Sequence, residues 1–140
     1  MDFLKEAKEI SEELVSIRRD FHQNPETDFD LNRTVSKVKE FLEKEGIEYI
    51  ETSKNGICGI IRGNGEKTIG IRADMDALPM EDKKSCVYSS KVEGKMHACG
   101  HDVHTTILLG AGKILNKMRN KLNGNVKLIF EPAEETTGGA

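Results

Sequence analysis

Apolar residues recur at three- and four-residue steps through Phe3, Leu4, Ala7, Ile10, Leu14, Ile17 and Phe21, with charges between them. Such a period marks one face of a helix, so a helix is predicted from Met1 to about Gln23. Asn24-Pro25 ends it, because a residue before proline is pushed out of the helical region. A second helix is predicted from Thr34 to Glu45, with Asn32 or Thr34 as its cap and Gly46 just past its end. Its buried stripe is Val35, Val38, Phe41 and Leu42. The pattern then changes. Glu48–Thr52, Ile57–Arg62 and Thr68–Ala73 are short and rich in β-branched residues, hence strands, and Gly63-Asn64-Gly65 is read as a tight hairpin turn between the last two. Residues 74–100 lack periodicity, and a loop of that length usually carries a function. A third helix is marked by Val103, Ile107, Leu108, Ala111, Ile114, Leu115 and Met118, and Asn125–Phe130 reads as a buried strand running into Glu131-Pro132. Helices and strands alternating after the hairpin indicate an α/β layered sheet.

The 140 residues suffice for one domain with a real core. Their balance of 36% hydrophobic and 32% charged residues is that of a water-exposed globular chain. The formal charge is -3, and no Lys/Arg-rich block is present, which argues against a nucleic-acid partner. No apolar run approaches the roughly 18 residues of a membrane helix, and charges from Asp2 onward leave no secretory signal, so a cytoplasmic setting is expected. In such a reducing compartment, Cys58, Cys86 and Cys99 are expected to be free thiols or metal ligands rather than disulfides.

Three of the four histidines and one cysteine fall in the nine residues Met96 to His104. Thiolate and imidazole suit zinc and similar ions, the Cys99-x-His101 spacing lets both reach one ion cluster from a turn, and Gly100 permits a sharp backbone path. Asp102 is a candidate acceptor for orienting an imidazole. The simpler alternative is a polar, His-rich helix start. Structural zinc sites usually close with four Cys/His ligands, and the other cysteines lie in strand-like or unmotivated contexts, which favours a catalytic site.

Glu134-Glu135 follows the predicted strand and the Glu131-Pro132 step, and ligand sites of open α/β sheets lie beyond strand carboxyl ends. One carboxylate can bind metal while the other handles protons; by itself such a pair reads more simply as a solvated turn. Asp74 and Asp76 also leave a strand end and share a face, so one of them can support a metal-bound histidine, although a loop-closing role fits equally. His22 reads as a surface or capping histidine, and Gly63-x-Gly65, with no helix after it, is no dinucleotide loop. Cys99 as a nucleophile or redox thiol is a weaker reading, because it leaves Glu134-Glu135 without a role.

Four ordered motifs carry a family resemblance: Arg18-Arg19-Asp20-Phe21-His22-Gln23-Asn24-Pro25-Glu26, Arg72-Ala73-Asp74-Met75-Asp76-Ala77-Leu78-Pro79, Met96 through His104, and Pro132-Ala133-Glu134-Glu135 with the glycines after it. Together they make the chain resemble the N-acyl-amino-acid amidohydrolase branch of the carboxypeptidase-like metallopeptidases, which includes aminoacylases, hippurate hydrolases and auxin-conjugate hydrolases. The resemblance implies an α/β fold. It would be the amino-terminal part (residues 1–140) of a three-layer α/β/α catalytic domain with a mostly parallel sheet, truncated before a smaller dimerisation domain. It implies Cys99, His101 and Glu135 as metal ligands, Glu134 as general base, and Asp76 as the aspartate orienting the metal site. Asp74 occupies a position where other branches often carry a ligand histidine, and Cys99 is expected to compensate. Two divalent cations are implied, manganese or zinc, with nickel or cobalt in some relatives. The implied reaction is hydrolysis of a small N-acyl amino acid, in a protein that is a homodimer at full length. Relatives run to roughly 400 residues, a size at which two domains are expected, and supply further histidine ligands. Three protein ligands underfill a two-metal site, so an incomplete fragment acting only as a metal-binding or interaction module is the alternative expectation.

Overall fold

The computed structural model describes residues 2–138; Met1, where the first helix is predicted to start, and Gly139-Ala140 of the closing glycine run lie outside the described residues. The predicted first helix is two: α1, Phe3–Glu9, and α2, Ser11–Gln23. Between them Ile10 leaves helical geometry, at φ -100° and ψ 3°. Ser11 contributes to the break by donating its hydroxyl to the carbonyl of Lys8 (2.8 Å), one of the local bonds with which serine competes against helix continuation. No residue of α1 is buried, whereas α2 drives Phe21 and His22 into the interior. The chain leaves α2 at Asn24, before Pro25, as predicted.

Helix α3, Asn32–Lys44, begins two residues earlier than predicted, and neither Asn32 nor Thr34 caps it. Its first free N–H groups, those of Arg33 (3.1 Å) and Thr34 (2.7 Å), donate to the carboxylate of Glu26, which does a capping residue's work from outside the helix. Val35, Val38, Phe41 and Leu42 are buried as the stripe predicts.

The strands are β1, Glu48–Glu51, β2, Ile57–Ile61, β3, Thr68–Asp74, and β4, Asn125–Glu131. They form one sheet in the order β1-β2-β4-β3. The predicted β2–β3 hairpin is therefore absent: β4 lies between those strands, antiparallel to β2 and parallel to β3. The glycines of Gly63-Asn64-Gly65 serve close packing instead. A Cβ at Gly63 would sit 2.2 Å from the carbonyl oxygen of Gly124, and one at Gly65 2.4 Å from that of Asn123, so only glycine lets the turn before β4 pass. Asn64 N–H donates to the Leu122 carbonyl there (2.8 Å). An α/β layered fold is what the sequence indicates, but the sheet is mixed rather than mostly parallel, because the first two strands join antiparallel and only β3 and β4 run together.

Helix α4, His101–Lys117, is the crossover between the parallel pair. It packs on β3 and against α2, and Leu108 and Leu109 meet Val126, Leu128 and Phe130 of β4 in one core with Val38 and Leu42 of α3. Alternation along β4 puts Val126, Leu128 and Phe130 inside and Lys127 outside, the signature of a strand covered on one face. Residues 75–100 remain without helix or strand, held by single bridges from Thr27 to Ala77 and from Leu78 to Met96. Among the described residues, no helix is long and apolar enough to cross a membrane.

Candidate metal centre

The parallel strands β3 and β4 end side by side, with Asp74 opposite Glu131, and α4 starts beside them. Gly100 reaches φ 84°, a left-handed conformation that costs glycine nothing, and with no atom within 4 Å of a notional Cβ the requirement is conformational rather than steric. That turn starts α4 at His101, two residues before the first residue of the sequence pattern, and puts His101 and His104 on one helix face with their rings 5.7 Å apart.

Asp76 lies just beyond β3 and is 1% exposed. Its Oδ1 accepts the backbone N–H of Glu134 and its Oδ2 that of Glu135, both at 3.1 Å. Oδ1 also lies 3.4 Å from Nδ1 of His101. One buried carboxylate thus ties the turn after β4 to the first residue of α4. Burial alone would raise the pKa of Asp76, but His101 and the two N–H groups outweigh it and hold the carboxyl below its usual range. The turn itself needs Ala133 at φ 55°, a left-handed non-glycine residue with no exposed surface.

The other nitrogen of His101, Nε2, faces carboxylates: Glu135 Oε1 at 3.5 Å, Glu134 Oε2 at 3.7 Å and Asp74 Oδ1 at 3.7 Å. Burial works to lower the pKa of His101, yet Asp76, Asp74 and Glu135 more than offset it and the result is a raised value. Cys99 stands at the exposed rim, and the Glu135 carboxylate beside it, followed by burial, raises its thiol pKa. Cys99 Sγ, a His101 ring nitrogen and a Glu135 oxygen all lie within 4.8 Å of one another. Two ligand atoms each about 2.1 Å from one ion at tetrahedral angles sit roughly 3.4 Å apart. The separation of His101 Nε2 and Glu135 Oε1 is too long for a good hydrogen bond and right for sharing a cation. Glu135 Oε1 is buried and accepts no hydrogen bond, a costly state for a carboxylate oxygen and the one expected of a metal ligand.

Asp74, His101 and His104 form a second trio of potential ligand atoms. It is already satisfied internally: His104 Nδ1 bonds Asp74 Oδ1 at 2.7 Å, and Arg72 approaches Asp74 Oδ2 at 3.3 Å while its Nε bonds Glu131. The residues singled out in the sequence, Asp76, Cys99, His101, Glu134 and Glu135, thus converge on one place. Arg72 and His104 join them without having been assigned a role, though the i, i+3 spacing from His101 was a readable signal for His104. His22 is the correction. Rather than capping a helix at the surface, it is 1% exposed and bonded to Asp102, because α2 packs its last turn against α4. Asp102 does accept from an imidazole, but from that of His22.

The strand-end location, the helix N-terminus and the clustered thiol, imidazole and carboxylate groups are features that an α/β metallopeptidase could use to hold metal. The chain belongs to peptidase family M20/M25/M40, whose sequence profile matches residues 70–140. It is 43% identical over 130 residues to an N-acetylcysteine deacetylase of Bacillus subtilis, covering 91% of this chain and 34% of that protein. Against the hippurate hydrolase of Campylobacter jejuni it is 45% identical over 142 aligned positions, covering 100% of this chain and 37% of that protein. Among solved structures, a dinuclear metal binding peptidase of the M20 family from Bacillus subtilis superposes with a TM-score of 0.88 at 42% identity, covering 91% of this chain and 37% of that one. The chain spans about a third of the length of the relatives it matches.

Proposed function

We propose that this chain forms the amino-terminal part of a catalytic domain that hydrolyses the amide bond of N-acyl amino acids, releasing a carboxylic acid and an amino acid. The observation that carries the reading is the 3.5 Å approach of His101 Nε2 to Oε1 of Glu135, a buried oxygen that accepts no hydrogen bond, with Cys99 Sγ close by. Residues Cys99, His101 and Glu135 would hold the metal pair, of manganese or zinc or in some settings nickel or cobalt. When bound, such cations lower the pKa of water from about 15.7 towards 7 and polarise a carbonyl oxygen. The names of the two enzymes above, a deacetylase and a hippurate hydrolase, support an acyl amino acid as substrate.

The chain's own residues divide the work. Glu135, with 19% of its side chain exposed, is the inner carboxylate and a ligand; Glu134, with 39%, faces the open side and acts as general base. Glu134 takes a proton from the attacking water and returns it to the leaving amine, one group serving both steps. Asp76 orients His101 through Nδ1, leaving Nε2 for the cation. Free Cys58, Cys86 and Cys99 support a reducing, cytoplasmic setting.

The test is turnover of N-acetyl and N-benzoyl amino acids with manganese or zinc, by this chain and by a chain continued to the length of its relatives. Hydrolysis by the longer chain, abolished in Glu134→Gln with metal content unchanged, supports the assignment. Metal binding by the longer chain without turnover of any acyl amino acid overturns it and leaves a metal-binding or interaction module.

A further inference from the structure

Next to the candidate metal centre, one residue along α4 from His101, lies a second polar cluster that the proposed chemistry does not use. Asp102 is 1% exposed; its Oδ2 bonds His22 Nδ1 at 2.7 Å and forms an ion pair with Arg18, whose Nε lies 2.9 Å away. Arg18 Nη2 also lies 3.3 Å from His22 Nδ1, but the shorter contact is with Asp102, whose carboxylate accepts the N–H of that nitrogen. Nε2 of His22 is 3.8 Å from Asp82 Oδ2, and the ring meets Tyr88 edge-on. Both partners of Oδ2 come from α2, while Oδ1 accepts the backbone N–H of Val103 at 3.0 Å. Asp102 itself is the second residue of α4, one position after His101.

Successive residues of an α-helix project about 100° apart around its axis. On the sheet side His101 Nδ1 faces the Asp76 carboxylate at 3.4 Å, and on the helix side Asp102 is hydrogen-bonded to His22 and ion-paired with Arg18. Two anchors at that angle fix both the rotation and the depth of the first turn. One anchor alone would leave the turn free to pivot about it. We propose that His22, Arg18 and Asp102 are positioning residues for the metal centre, setting the Gly100 turn so that Cys99 and His101 face Glu135. This inference rests on the reading of Cys99, His101 and Glu135 as ligands.

The test is titration of the purified chain with cobalt(II), followed by the near-ultraviolet thiolate-to-cobalt absorption, with melting curves recorded in parallel. Wild type is expected to show the band and Cys99→Ser to lose it. His22→Ala is expected to weaken cobalt binding by about tenfold or more, in the range seen for partners of metal ligands, and to alter the band while the chain stays folded. His22→Asn, whose amide nitrogen falls near the place of Nδ1, is expected to restore most of the affinity. If His22→Ala does not fold, Arg18→Met decides, since Arg18 sits at the partly exposed edge of the cluster. Folded variants binding cobalt within about twofold of wild type, with an unchanged band, would overturn the positioning role and leave the ligand assignment standing. Absence of the band in wild type would overturn the ligand assignment and, with it, this inference.

Discussion

The carboxylate of Asp76 lies 3.4 Å from Nδ1 of His101 while its two oxygens accept the N–H groups of Glu134 and Glu135. A single buried side chain therefore fixes two loops whose residues are 34 positions apart at the Asp76 turn's partners, His101 and Glu135. Asp76→Ala is expected to lower metal affinity by about 10- to 100-fold, the usual consequence of losing the group that orients a ligand. Calorimetric titration with zinc checks this. An unchanged affinity in a folded variant would mean that the turn after β4 holds itself.

His97 supplies a pH dependence. It is 4% exposed with neither ring nitrogen hydrogen-bonded, and burial, against the pull of Asp102 and with the added repulsion of His22 and His101, lowers its pKa to about 4. In the unfolded chain a histidine titrates near 6.5, so between pH 6.5 and 4 the unfolded state binds a proton that the folded state refuses. The contribution is fully present above the unfolded value and is lost as pH falls through this window, amounting to about 3 kcal/mol. Urea unfolding of wild type and His97→Gln from pH 7 to 4 should show wild type losing stability faster by that amount. Parallel curves would contradict it.

Core packing gives a third expectation. Gly112 lies mid-helix in α4, where alanine would ordinarily gain about 1 kcal/mol in helix propensity. A Cβ there would stand 2.5 Å from Cδ1 of Leu128, which has no exposed surface, and 3.7 Å from Cδ1 of Ile47. Overpacking of a filled core costs about 1–3 kcal/mol, so Gly112→Ala is expected to be net destabilising by about 1 kcal/mol. Thermal unfolding decides the sign, and a stabilised variant would show that Leu128 has a free rotamer.

Helix faces could be read from the chain because they depend on local spacing, and the buried stripe of α3 follows from period alone. Cys99 and His101 stand out by type and neighbourhood, whereas the Glu134-Glu135 pair reads locally as a solvated turn and takes its proposed role only from the family resemblance. Strand order could not be read in this way. Nothing in Ile57–Ile61 or Thr68–Asp74 records that β4, more than fifty residues beyond β3, inserts between them, and the intervening glycines mimic a hairpin turn while serving a close backbone crossing. His22 was misplaced for a related reason. Its burial depends on Asp102, 80 residues away, and a charged partner at that distance leaves no mark on the local pattern.

The proposal that Cys99, His101 and Glu135 converge on one pair of divalent cations is tested most directly by anomalous diffraction from crystals of the chain grown with manganese or zinc. The expected result is a peak or a close pair of peaks such that Cys99 Sγ, His101 Nε2 and a Glu135 oxygen each lie within about 2.5 Å of one of them. A peak on other residues, or none at a full-occupancy concentration of either ion, would contradict it.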